Sequence, residues 1–259
     1  MDSMLKKIPV VFSFARSGGT LLNQILGMHP EVLILSEVNP SRDAEPMTRQ
    51  AADWLKLLAE KEKEEFQRLA YGMQIDLLWH KAQKMGKKLI LRDWSTVNFM
   101  DTKWPMGFMP SQVLEQRLYL EEAGFSVQGL VMVRKFSAME RSIRKTFPDL
   151  ANIPSEILAK AYLEFAKSVQ SYPRIALEVL QMHPLKETKK ACKIFGLKEE
   201  PAEKICKNFF RFRKCTGNTT LANASISNSW QNIVVQQTEA CNKNQPLAAT
   251  EADQIFGYV

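Results

Sequence analysis

The stretch that most constrains this chain runs from Pro9 to Glu37, PVVFSFARSGGTLLNQILGMHPEVLILSE. The apolar run Val10 to Phe14 predicts a buried strand. A basic, glycine-bearing turn follows, Ala15-Arg16-Ser17-Gly18-Gly19-Thr20, and Leu21 to about Gly27 reads as a helix. A second short strand, Val32 to Leu35, ends on Ser36-Glu37. A strand that feeds a helix through such a turn gathers backbone N–H groups and the positive helix end at one point, which suits a phosphate. Arg16 adds a full positive charge there, and Ser17 and Thr20 add hydroxyl donors.

The rest of the chain continues the alternation. A polar loop from Asn39 to Pro46 leads into helical periodicity, with Trp54, Leu55, Leu57 and Leu58 on one face and Phe66, Leu69, Met73, Leu77 and Leu78 on another. The intervening EKEKEE run is a solvated helix face. Leu89 to Leu91 reads as a strand with Arg92-Asp93-Trp94-Ser95 just beyond it. Two prolines keep Met100 to Pro110, rich in Met and aromatics, out of regular structure. Gln112 to Ala123 is a helix, Val127 to Val133 a strand closed by Arg134, and Phe136 to Lys145 a helix. A helix from Ser155 to about Ser171, a strand from Pro173 to Leu177 and helices from Pro184 to Phe195 and Pro201 to Phe210 complete the pattern.

Strands alternating with helices predict an α/β fold, a three-layer parallel sheet flanked by helices. Residues 1–220 read as one domain, with 39–110 as an acceptor-binding insertion and loops. Residues 221–259 are polar, with isolated apolar positions Trp230, Ile233 and Val234, and are expected to be loosely ordered toward the end. In such sheets ligands bind at the carboxyl ends of the strands. The residues there are Arg16 and Ser17, Glu37, Arg92 and Asp93, and Arg134.

Charge and composition narrow the chemistry. The formal net charge is +7, which favours an anionic ligand, a nucleic acid or a membrane surface. The basic residues stand at strand ends and are not interleaved with aromatics on one face, which argues against nucleic acid. No apolar run reaches the roughly 18–20 residues of a membrane helix, so the reading is cytoplasmic, with no membrane partner. The four cysteines (Cys192, Cys206, Cys215, Cys241) have no CxxC pairing and there are three histidines. No metal site and no disulfide framework is expected, and the two Asn-x-Ser/Thr matches after Gly217 read as chance. His29, before a proline, reads as a structural turn residue. The turn lacks the first glycine and the lysine of a G-x-x-x-x-G-K-[ST] loop, and G-x-G-x-x-G is absent, which disfavours an ATPase and a nicotinamide dehydrogenase.

Arg16-Ser17-Gly18-Gly19-Thr20-Leu21 resembles the 5′-phosphosulfate loop of sulfotransferases that use 3′-phosphoadenylyl sulfate (PAPS). His29-Pro30-Glu31 and Ser36-Glu37 are similar to elements of the bacterial and tyrosylprotein branches. Leu130-Val131-Met132-Val133-Arg134, followed eight residues on by Ser142, resembles the family's 3′-phosphate motif. Ile175 to Leu180, Pro184 onward to Ile194-Phe195-Gly196-Leu197, and the basic loop Arg213-Lys214-Cys215-Thr216-Gly217 extend the likeness over about residues 8 to 220. Tyr162 is either a tyrosine near the nucleotide or a helix core residue.

The resemblance implies a P-loop-like sulfotransferase fold, PAPS as co-substrate, its desulfated product PAP, and no metal. It implies cofactor contacts from Arg16, Ser17, Gly18, Gly19, Thr20 and Leu21 on the 5′ side, and from Arg134, Ser142, Lys214 and Gly217 on the 3′ side. Sulfuryl transfer needs a cation for the leaving oxygen and a base for the acceptor. Arg16 suits the first role. Glu37 matches the motif position at which the tyrosylprotein branch carries its glutamate base, with Asp93 the rival and Arg92 a second cation. The sequence departs from the family at Gly19, where Thr or Ser is usual, and at Arg92-Asp93-Trp94-Ser95, where the tyrosylprotein enzymes carry a lysine motif. The expected acceptor is a hydroxyl or amine of a small molecule, a carbohydrate or a peptide, in a pocket to which Trp54, Trp94, Trp104 and Phe108 would contribute. A non-catalytic nucleotide-binding protein on the same fold and a P-loop phosphotransferase are the alternatives.

Overall fold

The computed structural model describes residues 6–101, 110–216 and 245–258. Strand β1 (Lys6–Ser13) runs into helix α1 (Gly19–Gly27) and strand β2 (Val32–Val38). Two short helices, α2 (Met47–Arg49) and α3 (Lys63–Arg68), precede the long α4 (Tyr71–Lys84) and β3 (Lys88–Asp93). Then come α5 (Thr96–Phe99), α6 (Glu115–Glu122), β4 (Phe125–Val133), α7 (Phe136–Thr146), α8 (Ser155–Val169) and β5 (Arg174–Ala176). Helices α9 (Leu177–Met182), α10 (Pro184–Ile194), α11 (Ala202–Asn208) and α12 (Leu247–Phe256) follow.

The five strands form one parallel sheet in the order β2-β3-β1-β4-β5. Side chains alternate across it. Val10 and Phe12 of β1 join Leu35, Leu89, Val131 and Phe165 in the core on one face. Val11 joins Leu22, Ile25, Ile90, Leu130 and Phe195 on the other. Strands covered on both faces are continuous apolar runs, as Val10 to Phe12 and Leu130 to Val133 are. From β1 the chain moves one way, to β2 and β3, and from β4 it moves the other way, to β5. The crevice between the tips of β1 and β4 is therefore the topological switch point where α/β sheets bind ligands.

The continuous helical periodicity expected from Trp54 is broken. Gln50–Trp54 forms one wide helical turn, Leu55, Leu57 and Leu58 lie in the loop after it, and only Phe66 falls in α3 and Met73, Leu77 and Leu78 in α4. Met73, expected on the buried face, is 58% exposed. The larger correction is the C-terminus. The polar stretch expected to loosen toward the end carries α12, with Ala249, Ala252 and Phe256 buried. Their i, i+3, i+7 spacing makes a narrow apolar stripe that packs on α8. Its Phe256 ring meets Tyr162 at 5.5 Å. Small alanines hide such a stripe in a segment whose composition is otherwise Asn, Gln and Thr. Gly217, Trp104, Phe108, Trp230, Ile233, Val234, Cys241 and the two Asn-x-Ser/Thr motifs lie outside the described residues. Among the described residues no helix is long and apolar enough to cross a membrane.

Candidate active site

The turn after β1 is a rigid cradle. The Ser17 N–H and hydroxyl both donate to the Phe14 carbonyl, at 3.2 and 2.7 Å. The Ala15 N–H donates to Thr96 Oγ1 at 2.7 Å. Gly18 adopts φ +100, and a Cβ there would lie 2.8 Å from both Leu177 Cδ1 and Met132 Cε. Glycine is thus required at position 18 by both backbone and space. Arg16 sits in the left-handed region at φ 64 and Glu37 at φ 52. Non-glycine residues held there carry local strain of the kind that gathers at functional sites.

The two phosphate-type motifs meet. Arg16 Nε donates to Ser142 Oγ at 2.9 Å, and Arg134 Nη1 donates to the Arg16 carbonyl at 3.1 Å. Tyr162, fully buried in α8, donates its hydroxyl to the Arg134 carbonyl at 2.6 Å and so fixes the tip of β4. Burial lowers the pKa of both guanidiniums, with Glu37 offsetting this for Arg16 and Glu178 for Arg134. Each arginine nevertheless remains a cation at any ordinary pH. Two partly desolvated cations side by side, next to a helix N-terminus, are an arrangement that suits an anion.

Glu37 owes its orientation to a break in the sheet. Ser36 pairs with Arg92 and Val38 with Asp93, so the ladder skips Glu37. A bulge of this kind re-aims a side chain, and here the carboxylate pairs with the Arg92 guanidinium. The bulge is held from the outer side by Gln50, whose buried amide accepts from the Ser36 N–H at 2.7 Å and donates to the Ser36 carbonyl at 2.9 Å. The side chain of Gln50 thus takes the place of a neighbouring strand at the sheet edge. Arg92 Nη1 reaches the Thr216 carbonyl at 3.2 Å, and Ser36 Oγ accepts the Thr216 N–H at 2.9 Å.

Asp93, the rival base, is fully buried. Its Oδ1 accepts from Asn39 Nδ2 at 2.9 Å and its Oδ2 from Ser95 Oγ at 2.7 Å. Burial pushes its carboxyl up to about 7. Both oxygens are thus engaged in bracing the loop beyond β3. His29 is likewise internal: Nδ1 accepts the Glu31 N–H at 3.1 Å, which leaves Nε2 as the donor to the Lys198 carbonyl at 2.9 Å.

Arg16, Gly18, Gly19, Thr20, Leu21, Glu37, Arg92, Asp93, Arg134 and Ser142 all line one cavity of about 670 Å³. Ser17 does not line it, because its hydroxyl is turned inward to close the turn. Lys214 is exposed, and the neighbouring Thr216 is tied to β2 and β3, across β1 from Arg134. The late basic loop is therefore anchored beside Glu37 and away from Arg134 and Ser142. Arg144 of α7 pairs with Glu140 and donates to the Ala151 carbonyl. Trp94 lines the cavity with Phe14 and Phe147, and Trp54 does not. Ser13, Gln50 and Asn39 carry no motif and were not singled out by sequence.

No protein-family model and no curated protein matches the sequence. Among solved structures, the sulfotransferase domain of the olefin synthase of Synechococcus PCC 7002 is similar, with a TM-score of 0.66 and 16% identity, over 99% of this chain and 97% of that one. The sulfotransferase domain from the curacin biosynthetic pathway is similar at a TM-score of 0.67 and 15% identity, over 98% of each chain. With a parallel sheet in this order and an anion-type turn at its switch point, the chain has the α/β fold of sulfotransferase domains.

Proposed function

We propose that this chain moves a sulfuryl group from PAPS to a hydroxyl or amine of an acceptor. The observation that carries the reading is the hydrogen bond between Arg16 and Ser142. It joins the turn after β1 to the helix after β4, so a molecule with two anionic groups meets cations and donors at both ends. A 3′,5′-bisphosphorylated nucleotide is such a molecule. Arg16, Thr20 and the first N–H groups of α1 hold the 5′ side, and Arg134 and Ser142 hold the 3′ side.

The donor supplies the sulfuryl group. Glu37 takes the proton of the acceptor hydroxyl or amine as the new bond to sulfur forms. Arg16 receives the charge that builds on the bridging oxygen as its bond to sulfur breaks and PAP leaves. Arg92 holds the Glu37 carboxylate in place. Phe14 and Trp94 line the same cavity and offer an acceptor an apolar wall, which suits a small molecule or the ring or side chain of a carbohydrate or peptide.

Calorimetric titration with 3′,5′-ADP tests the reading, together with transfer of labelled sulfate from PAPS to a panel of hydroxyl and amine acceptors. Binding to wild type, lost in Arg16→Ala and Arg134→Ala, is expected. No binding by wild type overturns the proposal. Binding without transfer to any acceptor leaves a nucleotide-binding protein.

A further inference from the structure

Gly19 is the first residue of α1, a position where a helix tolerates most side chains. It does not adopt a left-handed backbone, so conformation does not demand glycine. Space does. A Cβ on Gly19 would collide with Ser13 Oγ, lie 2.9 Å from Ser13 Cβ and lie 3.0 Å from Arg92 Nε. The volume that a residue-19 side chain would fill is already taken by a hydroxyl and a guanidinium N–H.

Both groups are held in place by other contacts. Ser13 is the last residue of β1, and its own N–H is donated to Ser95 Oγ at 3.2 Å. Arg92 spends its Nη atoms on Glu37, Ser36 and Thr216. Its side chain is 5% exposed, and its Nε is buried with no hydrogen-bond partner. A buried N–H left unpaired costs free energy, and this one faces the turn. Ser13 and Arg92 both line the cavity.

Resting on the function proposed above, we propose that Ser13 is an anion-binding residue: its hydroxyl, with Arg92 Nε, binds the 5′-phosphosulfate end from β1 and β3 in place of a hydroxyl at position 19. Gly19 is then an accommodation to these donors and not the loss of a phosphate contact.

Three probes test this by calorimetry: 3′,5′-ADP, 3′-AMP and inorganic pyrophosphate. Ser13→Ala is expected to weaken 3′,5′-ADP by about tenfold, the scale of one hydrogen bond to a charged group, and to leave 3′-AMP unchanged. Gly19→Ser alone is expected to lower Tm and weaken binding. The double variant Ser13→Gly with Gly19→Ser, which moves the hydroxyl from strand to helix, is expected to recover affinity for 3′,5′-ADP. Unchanged 3′,5′-ADP affinity in Ser13→Ala, or an equal loss for 3′-AMP, overturns the assignment. Wild type that binds pyrophosphate but not 3′,5′-ADP removes the nucleotide reading, and Ser13→Ala is then decided on pyrophosphate. Wild type that binds none of the three removes both.

Discussion

Arg16 Nε and Ser142 Oγ lie 2.9 Å apart although 126 residues separate them in the chain. Each belongs to a different strand-to-helix junction, and β1 and β4 are paired along their length from Lys6–Phe125 to Ser13–Met132. The register of that pair sets the distance between the two junctions.

The contact makes the two residues energetically coupled. Ser142→Ala is expected to weaken 3′,5′-ADP binding by about tenfold, the scale of a lost bond between a hydroxyl and a charged group. The Arg16→Ala and Ser142→Ala effects should not add, because contacting residues share a network. A double-mutant cycle read by calorimetry measures this, and strict additivity would show that the contact plays no part in binding.

Glu37→Gln separates binding from chemistry. The amide keeps the shape but takes no proton. Sulfuryl transfer is expected to fall by about 10²–10⁴, the usual contribution of a positioned base, with 3′,5′-ADP affinity retained. Single-turnover transfer beside calorimetry reads both quantities, and a variant that turns over at the wild-type rate would remove Glu37 as the base.

Gln50→Leu should loosen Glu37 without touching a ligand. It strips the partners from the Ser36 N–H and carbonyl, which costs about 1–3 kcal/mol for a buried unpaired group. Denaturant unfolding should show that loss. Transfer should fall more than 3′,5′-ADP binding, because the disturbed strand carries the base and not the phosphate donors. Equal losses in both would mean that Gln50 supports the domain in general.

Asp93 makes stability depend on pH in a defined sense. Burial raises its folded pKa to about 7 from an ordinary 3.8. Between those values the folded chain holds a proton that the unfolded chain has released. The contribution of this group is full below the lower value and declines as pH rises to the upper one. Asp93→Asn removes the titration. The stability of wild type relative to Asp93→Asn should therefore fall as pH rises through this window, as measured by urea unfolding at several pH values. A difference that stays flat would remove the assigned shift.

The fold and half of the site were legible from residue pattern. Continuous apolar runs such as Leu130 to Val133 require cover on both faces, and alternation with helices then requires parallel pairing. The turn at Arg16–Thr20 and the Arg134–Ser142 spacing are local, so the sequence displays them directly. Ser17 shows the limit of that local reading: its hydroxyl looks like a ligand donor but closes the turn onto Phe14. Asp93 stands beside Arg92 in the chain and both line the cavity, yet the Asp93 carboxylate oxygens are taken by Asn39 and Ser95.

What the amino-acid sequence determined by itself was the order of elements and the identity of the groups at the strand tips, because both depend on residues close in the chain. The tertiary structure alone decided the contacts made across the sheet. Gln50 clamps Ser36, Thr216 docks beside Arg92, α12 packs under Tyr162, and Ser13 fills the space beside Gly19. The first three of these contacts join separate elements of the chain, and the last is closed by the turn that folds α1 back on β1. Each arises where parallel pairing and helix packing bring separate elements together, and space there admits one side chain and excludes another.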